Sequence, residues 1–299
     1  MRAPLLSEGG QGEVVLAKKK GEKSDEISAP PEGLTREETR SVKGRLRLRA
    51  AVVYEIIRLE GEAELGRSFS ALWWSALAAG ISIGFSVLSQ AMFAALLGHV
   101  PAASIIADLG YTVGFLIVIL AHQQLFTENT LTAVLPVMVR KDWKAILYVL
   151  RLWGIVLVGN VVGCFLFAAF LAYSGALNAE FASEVRRIGE ELMANTPMEM
   201  FVKGIIAGWL IAALVWMLPS SEGSEFFVIM LITYIIALGD FTHIIAGSVE
   251  AIYMWLAGHE TFLDIVAKFF LPTLIGNVVG GTLLFAVVSY AQVRSELEV

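Results

Sequence analysis

The sequence predicts an all-α membrane protein with six transmembrane helices in two inverted three-helix repeats, in which helices two and five are broken. Three observations lead to this prediction. Hydrophobic residues make up 57% of the chain and charged residues only 17%, whereas about a quarter of an ordinary soluble domain is charged. Long apolar segments separated by short polar ones fill the chain from residue 69 onward. A five-residue motif occurs twice, once in each half.

The apolar segments have the length of membrane spans, since a helix needs about 20 residues to cross the hydrocarbon. They comprise residues 69–89, 102–120 with a continuation at 131–139, 146–173, 200–218, 226–238 with a continuation at 244–256, and 265–290. Polar residues interrupt the second and the fifth segment. Unpaired backbone cannot face lipid, so each break packs against protein or lines a cavity. Broken helices at corresponding positions in two halves are typical of transport sites.

The repeated motif is Gly-Asn-Val-Val-Gly, at residues 159–163 in the third segment and 276–280 in the sixth. Taken alone, it is compatible with a small-residue packing motif used twice. The breaks precede it at similar distances, however, so that Leu125-Phe126-Thr127 matches Phe241-Thr242-His243. Three spans per half is an odd number, so the second half inserts upside down and the breaks meet near the bilayer centre. The residues that we assign to the breaks and their packing are Glu128, Asp240, Phe241, Thr242, Gly159, Asn160, Gly276 and Asn277.

Outside the spans, the sequence divides into segments of different composition. Residues 1–36 are charged and predict a disordered cytoplasmic tail. Residues 37–67 predict an amphipathic lead-in helix, either lying on the membrane surface or solvated. Residues 68–291 form the channel domain, and 292–299 a short cytoplasmic tail. Lysine and arginine concentrate in the lead-in and after segment two, and an even number of spans puts the C-terminus with Arg294 on the same side. This predicts a cell (inner) membrane protein with both termini cytoplasmic.

His243 is the most informative single residue, because it lies at the second break between apolar segments. An ionisable group at that depth suggests function. The unperturbed pKa of imidazole, about 6.5, allows proton exchange near neutrality. His243 therefore either donates a proton or hydrogen bond to a passing anion, or ties the two breaks together as a neutral residue bonded to Thr127.

Other residues near the breaks have simpler interpretations. We expect Thr127, Glu128 and Asp240 to cap the resumed helices. Leu125 and Phe126 form either a hydrophobic constriction or ordinary core packing.

Two charged residues lie within later segments. Lys203 either attracts anions into a vestibule or extends its charge to the interface. Glu250 has no obvious partner in the sequence.

Several function classes find no support in the sequence. It contains no zinc-type cluster, phosphate loop or Gly-x-Ser-x-Gly elbow, so we expect neither an enzyme nor a cofactor. A basic surface interleaved with aromatic residues, as nucleic acid would require, is also lacking. Cys164 is the single cysteine, so there is no disulfide framework.

Together, the motifs resemble the formate/nitrite transporter family over roughly residues 68–290. The resemblance rests on Leu125-Phe126-Thr127, on residues 158–163, on Gly204-Ile205-Ile206-Ala207-Gly208-Trp209-Leu210 with Val215-Trp216, on Phe241-Thr242-His243, and on Leu271-Pro272 with residues 275–281. It implies an aquaporin-like protomer, assembled as a homopentamer in the lipid bilayer, that passes small monovalent anions such as formate or nitrite, or their neutral acids.

The resemblance also implies residue roles. His243 faces the pore centre with Thr127 as its partner across the break, and the two constrictions comprise Tyr111, Phe115, Leu125 and Phe126. The chain departs from the family pattern at Thr242, where a glutamate is usual, and at Gly208 and Gly247, where asparagines are common.

Three functions remain open from the sequence. The leading hypothesis is an anion channel, either passive or proton-linked through the central histidine. The second is a pore for neutral small solutes. The third is a scaffold or sensor with a vestigial pore, in which the N-terminal tail binds a partner.

Overall fold

The computed structural model describes Thr35 and residues 47–98, 100, 102–140 and 142–297. The predicted tail at 1–36, apart from Thr35, and the lead-in residues 37–46 lie outside the described residues. The helices are, in chain order, α1 (Ala50–Leu65), α2 (Phe69–Leu97), α3 (Ala103–Leu120), α4 (Asn129–Thr132), α5 (Leu135–Arg140), α6 (Trp143–Tyr173), α7 (Ala179–Met193), α8 (Pro197–Met217), α9 (Glu225–Leu238), α10 (Ile244–Leu256) and α11 (Phe262–Leu297). A 3₁₀ turn extends α8, and α11 contains two stretches of π-helix, Ile265–Phe270 and Val279–Ala286.

Within the described residues, five helices are long and apolar enough to cross a membrane, namely α2, α3, α6, α8 and α11. The shorter apolar helices α9 and α10 follow one another around the second predicted break. The prediction of an all-α membrane protein is therefore confirmed at the level of five long apolar helices with shorter ones between them.

The continuation predicted at 131–139 is not one helix but two short ones, α4 and α5. Threonine hydroxyls compete with the helical pattern here, since Thr130 and Thr132 donate back to the carbonyls of Thr127 and Glu128. Pro136 has no backbone N–H to donate, which a helix tolerates only in its first turn, so a new helix begins here. The apolar residues that suggested one continuous helix are therefore divided between the short helices α4 and α5.

Polar side chains set the starts of two long helices. Ser68 accepts a hydrogen bond from the backbone of Ala71 at the start of α2. At the start of α8, Thr196 and Glu199 form a reciprocal capping box, in which each side chain accepts from the other's backbone N–H. Such caps satisfy the first amides of a helix, which otherwise have no partner.

Glycines allow two pairs of long helices to touch backbone to backbone. A Cβ at Gly163 of α6 would lie 2.8 Å from Gly80 Cα of α2. In the second half, a Cβ at Gly208 of α8 would lie 2.8 Å from Asn277 Cα of α11. An asparagine at position 208 would therefore push α8 away from α11, which explains why this chain has glycine there.

The lead-in helix α1 packs against protein along one face. Tyr54 and Ile57 are completely buried, and they cluster with residues of α4, α5, α8 and α11. The Tyr54 hydroxyl donates to the carbonyl of Leu135 over 3.3 Å, while Val52 and Leu59 are exposed. The apolar face that the amphipathic pattern predicted for α1 is thus in large part a contact with other helices of the protein, and not with the membrane alone.

Substituting Gly163 tests the close approach of α2 and α6. We expect Gly163→Ala to lower the melting temperature in detergent by several degrees, because the new methyl group overlaps the backbone of α2. Gly154→Ala is the matched control on the same helix, since a Cβ there meets nothing within 4 Å. Equal melting temperatures for the two variants would contradict this packing.

Candidate functional site

The first break is held by one asparagine. The chain leaves helical geometry after α3 and resumes it at α4, and Asn160 of α6 lies beside the gap. Its carboxamide accepts from the backbone N–H of Phe126 at 2.9 Å and donates to the carbonyls of Gln124 and Ala76, both at 2.8 Å. Because buried backbone groups need partners, Asn160 replaces the helical hydrogen bonds that the break removes.

The second break repeats this arrangement with Asn277 of α11. Its carboxamide accepts from the backbone N–H of Ile244 at 2.9 Å and donates to the carbonyls of Thr242 and Gly204, at 3.0 and 2.8 Å. Asn160 and Asn277 are both completely buried. The two halves thus use the same three hydrogen bonds at the same kind of gap.

These hydrogen bonds align the two breaks in a register that differs from the sequence comparison. Gln124 is equivalent to Thr242 and Phe126 to Ile244, which makes Leu125 the counterpart of His243. The predicted alignment of the triplet Leu125-Phe126-Thr127 with Phe241-Thr242-His243 was therefore wrong by two positions. The two triplets were aligned because both contain a phenylalanine followed by a threonine. The hydrogen bonds of Asn160 and Asn277 show instead which backbone groups are equivalent.

His243 and Thr127 join the two breaks. The imidazole Nε2 lies 2.7 Å from the Thr127 hydroxyl, and both side chains are buried, with 2% and 0% exposure. The other ring nitrogen, Nδ1, accepts from the backbone N–H of Ala246 at 3.2 Å. An accepting Nδ1 carries no proton, so the neutral ring has its hydrogen on Nε2 and donates it to Thr127.

The expected caps of the resumed helices are placed differently. His243 caps α10, whereas the Asp240 carboxylate forms an ion pair with Lys203. Glu128 precedes α4 but makes no capping hydrogen bond with its side chain, and Thr127 is bonded to His243. The capping prediction was therefore wrong for all three, because Thr127 and Asp240 bond to other side chains and Glu128 makes no bond to the amides of the following turn.

Four apolar or aromatic residues were expected to form constrictions. Phe115 packs edge-to-face on the His243 ring at a centroid distance of 5.0 Å, and Tyr111 lies 5.3 Å from Phe115. Leu125 and Phe126 are also buried, but Phe126 packs against Trp153 of α6. The structure thus brings Phe115 and Tyr111 to the histidine, while Phe126 contacts the neighbouring helix.

A large cavity lies on the Glu128 side of the junction. Its volume is about 480 Å³, and its wall contains Glu60, Glu64, His122, Glu128 and Glu225 together with Gln124 and Asn129 of the break. Burial raises the pKa of Glu60 above its ordinary range. The Glu64 carboxylate is bonded to Arg67 at 3.0 Å.

A smaller cavity, of about 70 Å³, reaches His243 from the other side. Exposed Glu191 and Asp240 lie at its edge, and Tyr111, His243 and Glu250 line it further in. Lys203, the expected vestibule cation, is bonded to Asn195 at 2.7 Å and paired with Asp240, so its charge is already matched.

Sequence reasoning missed two features of the site. Gln124 is buried and accepts from Asn129 at 3.0 Å, while its backbone N–H donates to Ser75 of α2. Glu250 was noticed, but nothing in the sequence located it in the same cavity as His243. Its spacing of seven residues from His243, two helical turns, was the available signal. Among the described residues, no three histidine, cysteine, aspartate or glutamate side chains are grouped to hold a metal ion.

Comparisons with known proteins agree on one family. The family model of the formate/nitrite transporters matches residues 51–291. The inner membrane protein YfdC of Escherichia coli (strain K12) is 46% identical over 275 residues, which cover 92% of this chain and 89% of YfdC.

Two solved structures have a similar fold. A pentameric formate channel with formate bound superimposes with a TM-score of 0.63 at 19% identity, covering 76% of this chain and 98% of that one. An ion channel of the same family superimposes with a TM-score of 0.65 at 20% identity, covering 81% and 96%. The family match over most of the chain and the identity to YfdC extend the resemblance seen in the motifs, and the chain belongs to the formate/nitrite transporter family.

Proposed function

We propose that this membrane protein conducts small monovalent weak acids, such as formate or nitrite, across the bilayer at the Thr127–His243 junction. The observation that carries the proposal is the 2.7 Å contact between Nε2 of His243 and the Thr127 hydroxyl. It joins the two helix breaks at the inner end of a cavity. Membership of a family of channels and transporters rather than enzymes agrees with this assignment.

The junction favours a neutral solute over a bare anion. Phe115 covers the His243 ring with apolar surface, and the side chains of His243 and Thr127 are buried, so a charge without partners is expensive there. A solute that enters between His243 and Thr127 breaks their hydrogen bond. The Nε2 hydrogen of His243 and the hydroxyl of Thr127 can then each form a hydrogen bond to the solute. The solute therefore crosses as the neutral acid, or with its charge shared through these two groups.

His243 acts in this proposal as a hydrogen-bond donor. To give a proton away, neutral imidazole would first have to accept one at Nδ1, and Nδ1 is occupied by the N–H of Ala246. Protonation there would remove the cap of α10 and leave a buried amide unpaired. The geometry thus supports hydrogen bonding at Nε2 more than a full proton transfer.

The finer architecture belongs to the same proposal. If α9 and α10 count as one broken span, the chain has six spans in two inverted repeats, as in an aquaporin. The equivalent contacts of Asn160 and Asn277 support this arrangement. By similarity to the pentameric formate channel and to the inner membrane protein YfdC, we propose a homopentamer in the inner membrane with cytoplasmic termini.

A pore for neutral solutes is the second candidate. Among the described residues that line the two cavities, none is lysine or arginine, whereas several are glutamate or aspartate. A solute that never carries negative charge would meet no repulsion there.

Flux into liposomes separates the two candidates. We expect purified protein to take up formate and nitrite with acidification of the lumen, because the neutral acid releases its proton after crossing. Uptake of small neutral solutes with no uptake of either anion would favour the second candidate instead.

Replacing His243 tests the role of its Nε2 hydrogen. We expect His243→Asn to lower formate uptake by about tenfold, the effect of losing one hydrogen bond to a buried polar group. Asparagine is itself a good helix cap, so this variant keeps the start of α10 intact. His243→Ala removes the cap as well and should also melt earlier in detergent. Unchanged uptake in His243→Asn would contradict the role of Nε2.

Replacing Thr127 tests the other half of the junction. Thr127→Val has nearly the same shape but leaves the Nε2 hydrogen without an acceptor, which costs about 1–3 kcal/mol. We expect reduced uptake and a lower melting temperature. Thr127→Ser keeps the hydroxyl and should retain both, so equal behaviour of the valine and serine variants would count against the pair.

A further inference from the structure

We propose that Glu250 is the proton donor of this pathway: its carboxyl group protonates the weak-acid anion in the small cavity, before the solute reaches His243. The inference rests on the proposed function and supplies what the junction lacks. His243 offers a hydrogen bond but has no free nitrogen to carry an additional proton. A neutral acid at the junction has therefore received its proton before it arrives, from another residue or from solution.

The position of Glu250 suits this role. It follows His243 by seven residues on α10, which places both on one face of the helix about 10 Å apart along its axis. Both residues line the cavity of about 70 Å³. Both are buried, whereas Glu191 and Asp240 of the same cavity are exposed, so a solute that enters at the exposed edge comes into the cavity that Glu250 and the histidine share.

Glu250 is also the carboxylate of this cavity that lacks a partner among the described residues. It is only 7% exposed, and no described side chain or backbone N–H bonds to its carboxyl group. A buried carboxylate without a counter-charge is unfavourable, so a proton or a cation must accompany it. A proton fits a pathway for weak acids.

The neighbouring charged groups are already matched. On α7, Glu191 is bonded to Arg187 at 2.6 Å. Asp240 at the break pairs with Lys203 of α8, and Asp108 of α3 accepts from Gln90 of α2 at 2.8 Å.

Three further ionisable side chains on the surrounding helices provide no free positive charge beside Glu250. Tyr111 lines the cavity as a phenol. On α6, the Cys164 thiol donates to the carbonyl of Ile245, and on α11 Lys268 pairs with Asp264 at 2.9 Å. Among the described residues that line this cavity there is no lysine or arginine, so no cation of the cavity wall neutralises Glu250.

The proposed step balances in protons. The anion accepts the hydrogen of the Glu250 carboxyl group on one of its oxygens, which leaves the Glu250 carboxylate and the neutral acid. The acid moves on to the hydrogen bonds of His243 and Thr127. Water at the exposed edge of the cavity then returns a proton to Glu250, so one proton crosses with each anion.

The test compares formate uptake of wild type and Glu250→Gln in liposomes at several external pH values. At neutral pH we expect the variant to be about tenfold slower, since glutamine has no proton to give. The deficit should shrink as the external pH falls, because solution then supplies formic acid directly. Uptake of formamide, a neutral molecule of similar size, should be unchanged.

Two variants serve as controls. Glu250→Asp keeps a carboxyl group and should recover most of the uptake. Glu190→Gln removes an exposed carboxylate of α7 that pairs with Arg186 outside the cavity and should behave as wild type.

Each contrary result has a distinct meaning. A deficit in Glu250→Gln that is equal at every pH, or that extends to formamide, would overturn the inference in favour of a structural role. Faster formate uptake would overturn it in favour of simple repulsion of the anion. If wild type takes up no formate, the proposed function fails, and infrared spectra still test the inference. A band of a protonated carboxyl group that Glu250→Gln removes would support a proton site, whereas identical spectra would refute it.

Discussion

The structure depends on satisfying backbone groups where two helices are interrupted inside a membrane protein. Lipid offers no hydrogen bonds, and each unpaired amide or carbonyl there costs several kcal/mol. Asn160 and Asn277 meet this requirement with one acceptor and two donors each, from helices that pack against the breaks. Their carboxamides reach the gaps because glycines at 80 and 208 let the neighbouring helices approach to backbone contact.

Once the breaks are fixed in this way, the chemistry of the junction follows. The second break positions His243 immediately before α10, where its Nδ1 caps the helix. The cap leaves only Nε2 to face Thr127 across the gap. One structural hydrogen bond thereby selects the tautomer, and the tautomer limits what the residue can offer to a solute. Because Nδ1 of His243 is occupied, a carboxyl group such as that of Glu250 is better suited than the imidazole to transfer a proton.

The carboxylates that line the two cavities differ in whether a positively charged side chain pairs with them. Arginine or lysine neutralises the carboxylates Glu64, Glu191 and Asp240, so the acidic composition of the walls overstates their net charge. Glu250 remains without such a partner among the described residues and lies next to the histidine in the smaller cavity. In our proposal, the proton that neutralises Glu250 is also the one that converts an entering anion to its neutral acid.

Much of the fold could be predicted from the sequence, because apolar segments of membrane length and the repeated Gly-Asn-Val-Val-Gly motif are local signals. The paired location of His243 and Thr127 could also be predicted, since both stand in interruptions of apolar sequence. The true register of the breaks could not, because Gln124 and Thr242 share no residue type and are related only by their bonds to asparagine. The ion pair of Asp240 with Lys203 could not be predicted either, since the two residues are far apart in the sequence and only the fold brings them together.

The central claim is that solutes pass between Thr127 and His243. Its most direct test is chemical modification of Thr127→Cys in a chain that also carries Cys164→Ser, so that residue 127 is the only thiol. The account predicts that methyl methanethiosulfonate reaches Cys at this position from the cavities, that formate slows the reaction, and that modification abolishes formate uptake. Uptake that continues unchanged after complete modification, or that proceeds while the thiol cannot be reached, would contradict the account.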